Sequence, residues 1–126
     1  MIDASVLAKL IMREENYVEA AREVEADGET LDLAIYEVAN VILKYHKRGK
    51  LSTQEARERF EELMELSEAL RILDSKIFLE HAFKIATATN LTIYDSLYIA
   101  SANKLATSDT KLAEVANQYG RKIVLV

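Results

Sequence analysis

Short apolar runs alternate with longer stretches of helical spacing along this chain, and that alternation limits its fold more than any other feature. Extended pieces fall at residues 1–2, 30–33, 71–74, 104–107 and 122–126. Helical spacing fills the intervals, at about 6–11, 17–26, 33–47, 53–70, 76–89, 93–103 and 111–119. A strand, a helix and a further strand make a crossover unit, which returns the chain in the same direction and builds a parallel sheet. The expectation is a three-layer α/β/α sandwich: a short-stranded parallel sheet with helices on both faces. At 126 residues, it reads as a single domain over 1–126.

Local signals sharpen some of these elements. Ser52, followed three residues later by Glu55, is a capping-box arrangement at the start of the helix at 53–70. In the long helix at 33–47, Ala34, Val38, Val41, Ile42 and Tyr45 share one face, and Gly49 ends it. The helix at 76–89 is expected to turn Ile77, Phe78, Ala82, Ile85 and Ala86 inward. In the first two helices Val6, Leu7, Leu10, Ile11, Tyr17, Val18 and Ala21 make a sizeable apolar surface. Part of it covers the sheet, and the rest is available to a second copy of the chain or to a partner's helix.

Composition removes several kinds of function. There is no Cys, so disulfide frameworks, thiolate metal sites and cysteine nucleophiles are excluded. His46 and His81 are too few for a histidine-rich metal site, and both read as surface or packing residues. No apolar run reaches the roughly 18 residues of a membrane span, and no signal peptide opens the chain, so a cytoplasmic protein is expected. No phosphate-cradling P-loop or dinucleotide-binding glycine pattern occurs. The net charge of −5 opposes nucleic-acid binding through bulk charge. It leaves room for a local basic patch or a metal bridge.

Ligands of an open parallel sheet bind outside the carboxyl ends of the strands, and four acids fall there. Asp3 ends the first extended piece, and Glu37 lies near the start of the long helix after the second. Asp95 is in the opening turn of its helix, and Asp109 follows 104–107. Each has a plainer reading. Asp3 or Ser5 can cap a helix, Asp109 is an ordinary N-cap, and Thr92 with Asp95 fits a capping box. Glu37 is harder to explain away, because its neighbours Leu33, Ala34 and Val41 place it at the edge of a buried stripe.

Carboxylates that converge repel one another and stay ionised only if a cation joins them. Oxygen-only ligands suit Mg²⁺ or Mn²⁺, and such ions promote phosphodiester hydrolysis. A receiver-like phosphoacceptor site needs an acidic pair after the first strand, and a dehalogenase-type phosphatase needs a second Asp where Ser5 stands. Neither pattern fits.

The segments Ile2-Asp3-Ala4-Ser5-Val6-Leu7, Glu37-Val38-Ala39-Asn40, Tyr94-Asp95-Ser96-Leu97-Tyr98-Ile99-Ala100 and Thr107-Ser108-Asp109-Thr110-Lys111-Leu112 together resemble the PIN domain, above all its VapC-type toxins. The resemblance runs in order through essentially the whole chain. It implies a metal-dependent endoribonuclease with Asp3, Glu37, Asp95 and Asp109 as catalytic and metal-binding acids on Mg²⁺ or Mn²⁺. Asp3 and Asp95 would bind the metal most directly, while Glu37 and Asp109 complete the cluster and position the attacking water. Ser5 and Thr107 would support the carboxylates, and Asn40 would orient Glu37 or a water. It also implies an RNA substrate, a VapB-like antitoxin and a homodimer. Two departures stand out: few residues precede Asp3, and the connection from Ala102 to Lys104 is short.

Substrate-binding cations are less marked. Lys44, Lys47 and Arg48 end the long helix, where they also complement its dipole, roughly 10–15 Å beyond Glu37 at 1.5 Å per residue. Lys9 and Arg13 are nearer to Asp3 in sequence. The alternative functions are a stand-alone PIN nuclease in RNA processing or surveillance, or an inactive PIN fold kept for binding. Intact acids at all four positions weigh against the latter.

Overall fold

The computed structural model describes residues 1–126. Helices α1 (Ala4–Ile11) and α2 (Tyr17–Asp27) lead to strand β1 (Glu29–Leu31). Helices α3 (Asp32–Lys47) and α4 (Thr53–Ala69) connect it to β2 (Arg71–Leu73). A 3₁₀ turn (Ser75–Phe78), α5 (Leu79–Ala88) and α6 (Ile93–Ser101) precede β3 (Lys104–Thr107), and α7 (Thr110–Gln118) returns the chain to β4 (Lys122–Leu125). β1 and β2 pair in parallel, Glu29 opposite Arg71 and Leu31 opposite Leu73. β3 and β4 do likewise, Lys104 opposite Lys122 and Thr107 opposite Leu125.

Residues 1–3 join the two pairs. Ile2 forms a parallel bridge with Ala106. The Asp3 N–H donates to the Ala106 carbonyl at 3.1 Å, and the Ala106 N–H donates to that of Met1 at 2.9 Å. On the other side the Ile2 N–H donates to the Glu29 carbonyl at 2.8 Å, and the Thr30 hydroxyl donates to the Ile2 carbonyl at 2.6 Å. The order across the molecule is therefore β2, β1, residues 1–3, β3, β4. The expected first strand survives as a single bridge. Even so, it sits at the centre and carries Asp3 to the carboxyl edge.

Ile2, Leu31 and Leu105 are fully buried at this centre, and Val6, Leu7, Val38, Ile85, Ile99 and Leu112 close over it from the helices. Burying each such side chain stabilises the fold by about 1.5–3 kcal/mol. Helix α4 is attached more sparingly, with Leu63 its one buried residue. Its start is fixed by the expected capping box. The Glu55 N–H donates to Ser52 Oγ and the Ser52 N–H donates to Glu55 Oε1, both at 3.0 Å.

Two local expectations are corrected. Ile77 does not face inward; it is 75% exposed. Residues 76–78 belong to the 3₁₀ turn, started by the Lys76 N–H donating to Asp74 at 3.0 Å. Three residues per turn shift the helical phase before α5 begins, so Ala82 and Ile85 are buried while Ile77 points out. The strand expected at 30–33 ends at Leu31, because Asp32 Oδ1 accepts from the Leu33 N–H at 2.7 Å and the Ser75 N–H at 3.2 Å, turning the chain into α3. The apolar surface of the first two helices divides as expected: Val6, Leu7 and Ile11 belong to the core, while Tyr17 and Val18 are exposed. The larger exposed apolar residues include Tyr36, Leu43, Phe60 and Met64 on α3 and α4. No helix is long and apolar enough to cross a membrane.

Candidate active site at the carboxyl edge of the strands

Asp3 leaves the central bridge in extended conformation and starts α1. Its Oδ1 accepts from the Ser5 N–H (3.0 Å), the Val6 N–H (3.2 Å) and the Ser5 hydroxyl (2.5 Å). Its Oδ2 accepts from the Thr107 hydroxyl at the end of β3. The helix cap expected as the plain alternative is therefore present, and the same carboxylate also belongs to the cluster described below. Asp3 is 4% exposed. Burial pushes its carboxyl above the ordinary range against the pull of these hydrogen bonds.

The loop after β3 is tied to the start of α1. Thr107 Oγ1 accepts from the Asp109 N–H at 3.0 Å, and the Ser108 N–H donates to Ser5 Oγ at 2.8 Å. Ser5 and Thr107 thus each bond Asp3 and the 107–109 loop together. Asp109 caps α7, its Oδ1 accepting from the N–H groups of Lys111 (2.9 Å) and Leu112 (3.1 Å). It is exposed at the rim.

Glu37, half-buried on α3, accepts a hydrogen bond from the Tyr98 hydroxyl at 3.3 Å. Its carboxyl is pushed up to about 7, first by burial and then by the charges of Asp3 and Asp95, with the Tyr98 bond opposing. The Asp95 N–H donates to Thr92 Oγ1 at 3.2 Å. The reciprocal bond of a capping box is not made, so the Asp95 carboxylate is not spent on its own helix. It too is raised, by burial and then by Asp109, while Thr92 and Lys111 pull the other way. Glu37 is therefore within electrostatic reach of Asp3 and Asp95, and Asp95 within reach of Asp109.

As the side chains lie, no three acids stand close enough to hold an ion. The donor set nevertheless suits a hard divalent cation. It is oxygen only, and the carboxylates of Asp3, Glu37 and Asp95 are all held above their ordinary values. An ion that drew them together would relieve that penalty.

Ser5, Glu37, Asn40 and Lys44 line a cleft of about 330 Å³. Asn40 is exposed, and the Glu37 side chain is bonded by Tyr98 instead. A cleft of about 390 Å³ between α3 and α4 is walled by Ile42, Leu43 and Phe60 and contains one acid, Glu61. What sets the smaller cleft apart is that its one acid, Glu37, feels Asp3 and Asp95, and that its Ser5 bonds Asp3. Two expected substrate cations are engaged elsewhere: Lys9 Nζ donates to the Val126 carbonyl at 2.8 Å, and Arg13 pairs with Glu62 at 3.1 Å. Lys47 and Arg48 lie outside the walls of the cleft that holds Glu37. His46 bonds the Leu51 carbonyl through Nδ1 at 2.9 Å, and His81 is exposed.

Two residues near the acids were not legible as site residues. Tyr98 is 2% exposed and reads as core in the sequence. Its spacing of three from Asp95, which puts both on one face of α6, was the available signal. Lys111 lies two residues beyond Asp109 and is close enough to influence Asp95.

Short parallel strands that deliver acids from distant segments to one edge define a class of acid-cluster α/β folds. The chain belongs to the PIN domain family, whose model matches residues 1–118. It is similar to Ribonuclease VapC3 of Pyrobaculum aerophilum, at 42% identity over 120 residues, 90% of this chain and 92% of that protein. The crystal structure of PAE2754 from Pyrobaculum aerophilum matches with a TM-score of 0.73 at 23% identity, covering 98% of this chain and 81% of that one. That second likeness is one of fold.

Proposed function

We propose that this protein is a metal-dependent endoribonuclease that hydrolyses RNA phosphodiester bonds as the toxin of a VapBC-type pair. The observation that carries the reading is that Asp3, bonded by both Ser5 and Thr107, sits with the 107–109 loop beside Glu37 and Asp95. Its membership of the PIN family and its similarity to a protein named as a ribonuclease support it.

Asp3, Glu37 and Asp95 would hold Mg²⁺ or Mn²⁺, with Asp109 at the rim. A bound divalent ion supplies charge that neutralises the phosphate and acidifies water. The chain's own groups do the rest. Ser5 and Thr107 fix the orientation of Asp3. Tyr98 fixes one oxygen of Glu37. Glu37 and Asp109 complete the cluster and position the attacking water.

The reading brings a VapB-like antitoxin, a second copy of the chain and a cytoplasmic location with it. Growth arrest on expression, relieved by a small DNA-binding protein encoded beside the gene, tests the toxin role; absence of arrest favours stand-alone RNA processing. The activity itself is tested by Asp95→Asn. Cleavage is expected to fall by ~10²-fold or more, with the far-ultraviolet circular dichroism unchanged. Full activity in that variant, or cleavage indifferent to EDTA, would overturn the proposal.

A further inference from the structure

A polyanion approaching this site meets an acid cluster on a chain of net charge −5. Affinity for it must come from cations beside the cluster that are not already spent. Several cations are spent. Lys9 holds the Val126 carbonyl, Arg13 and Arg59 both hold Glu62, Arg71 holds Glu29, and Lys104 holds Glu23. Among the cations free of ion pairs, Lys44 and Lys111 stand beside the acids. Both are exposed, and neither is among the ion-paired side chains.

Their positions are complementary. Lys44 lines the same cleft as Glu37, on the same helix. Lys111 is in the first turn of α7, its N–H bonded to the carboxylate of Asp109 at 2.9 Å. One lysine stands beside Glu37 and the other beside Asp109. A single strand lying across the acids would bring a backbone phosphate to each.

We propose that Lys44 and Lys111 hold backbone phosphates of single-stranded RNA on opposite sides of the acids. The inference rests on the ribonuclease reading and adds to it the path of the strand. Neither lysine touches the reacting atoms, so both act on binding and not on chemistry.

The test is steady-state cleavage of a short unstructured RNA with Mg²⁺ across a salt series. A parallel measurement follows fluorescence anisotropy of the labelled RNA on Asp95→Asn protein, in which binding is read without turnover. Each of Lys44→Ala and Lys111→Ala should reduce the slope of log affinity against log salt by about 0.7, the value for one phosphate contact on a single strand. The double variant should lose about 1.4. KM should rise several-fold with kcat little changed, and Lys→Arg should restore the slope. Lys122→Ala, at the amino end of β4 and so at the opposite edge of the strands, should keep the wild-type slope.

Unchanged slopes in both variants of a protein that cleaves RNA would overturn the inference. So would a fall in kcat at constant KM, or an equal loss in Lys122→Ala. Wild-type protein that neither binds nor cuts RNA overturns the ribonuclease reading, and this inference with it.

Discussion

Replacing Glu37 by Gln should make the metal-free protein more stable at pH 8 and leave it nearly unchanged near pH 4.5. The carboxyl of Glu37 is raised from 4.5 to about 7 in the folded state, first by burial and then by Asp3 and Asp95. Between those values the folded chain binds a proton that the unfolded chain does not. Stability therefore falls as pH rises through that window, and the full penalty applies above it.

The rise corresponds to about 3 kcal/mol unscreened. Glu37 is only half-buried, so solvent screening reduces it to ~1–2 kcal/mol. Gln keeps an acceptor for the Tyr98 hydroxyl and removes the charge. For a domain of this size the gain corresponds to a Tm increase of roughly 3–8 °C at pH 8. The assay is thermal unfolding in EDTA, wild type against variant, at both pH values, so that other carboxyls cancel in the difference. Adding Mg²⁺ at pH 8 should stabilise wild type more than the variant, because a cation relieves the same repulsion. An equal gain at both pH values would assign the effect to packing. No gain at pH 8 would refute the electrostatic account of the site.

Two further substitutions probe the supports of the cluster. Thr107→Val removes the donor to Asp3 Oδ2 and the acceptor of the Asp109 N–H. It should cost about 1–3 kcal/mol in a denaturant titration and lower RNA cleavage by more than the stability loss explains. Leu63→Ala removes the one buried side chain of α4. It should destabilise by about 2–5 kcal/mol, with hydrogen exchange rising first in α4 and cleavage retained at low temperature.

The candidate site was legible in the sequence to the extent that its acids sit at ends of elements. Asp3 and Asp109 follow extended segments and begin helices, a placement visible from patterning and capping preferences. The same local logic misread Asp95, whose carboxylate does not complete the capping box with Thr92. It also misread Ile77, because a 3₁₀ turn and an α-helix look alike over four residues yet point their side chains differently.

Among the basic residues, sequence distance from the acids was a poor guide. Lys9 and Arg13 lie near Asp3 in the chain but are held by Val126 and Glu62. Lys44, seven residues beyond Glu37, shares its cleft, because two turns of helix bring a side chain back to the same face.

By itself, the sequence determined the helices, their caps such as Ser52 with Glu55, the parallel arrangement implied by the alternation, and the identities of the four acids. Those depend on hydrogen bonds and side-chain periods that span three or four residues. Tertiary structure alone decided that residues 1–3 serve as the seam between two strand pairs. It also decided that Thr107 closes on Asp3 across 104 positions, and that Glu37 meets Tyr98. Such contacts follow from strand register and helix packing, which place groups within hydrogen-bonding distance however far apart they lie along the chain. The perturbed carboxyls arise in the same way, since burial and mutual repulsion exist only once the strand ends are brought together.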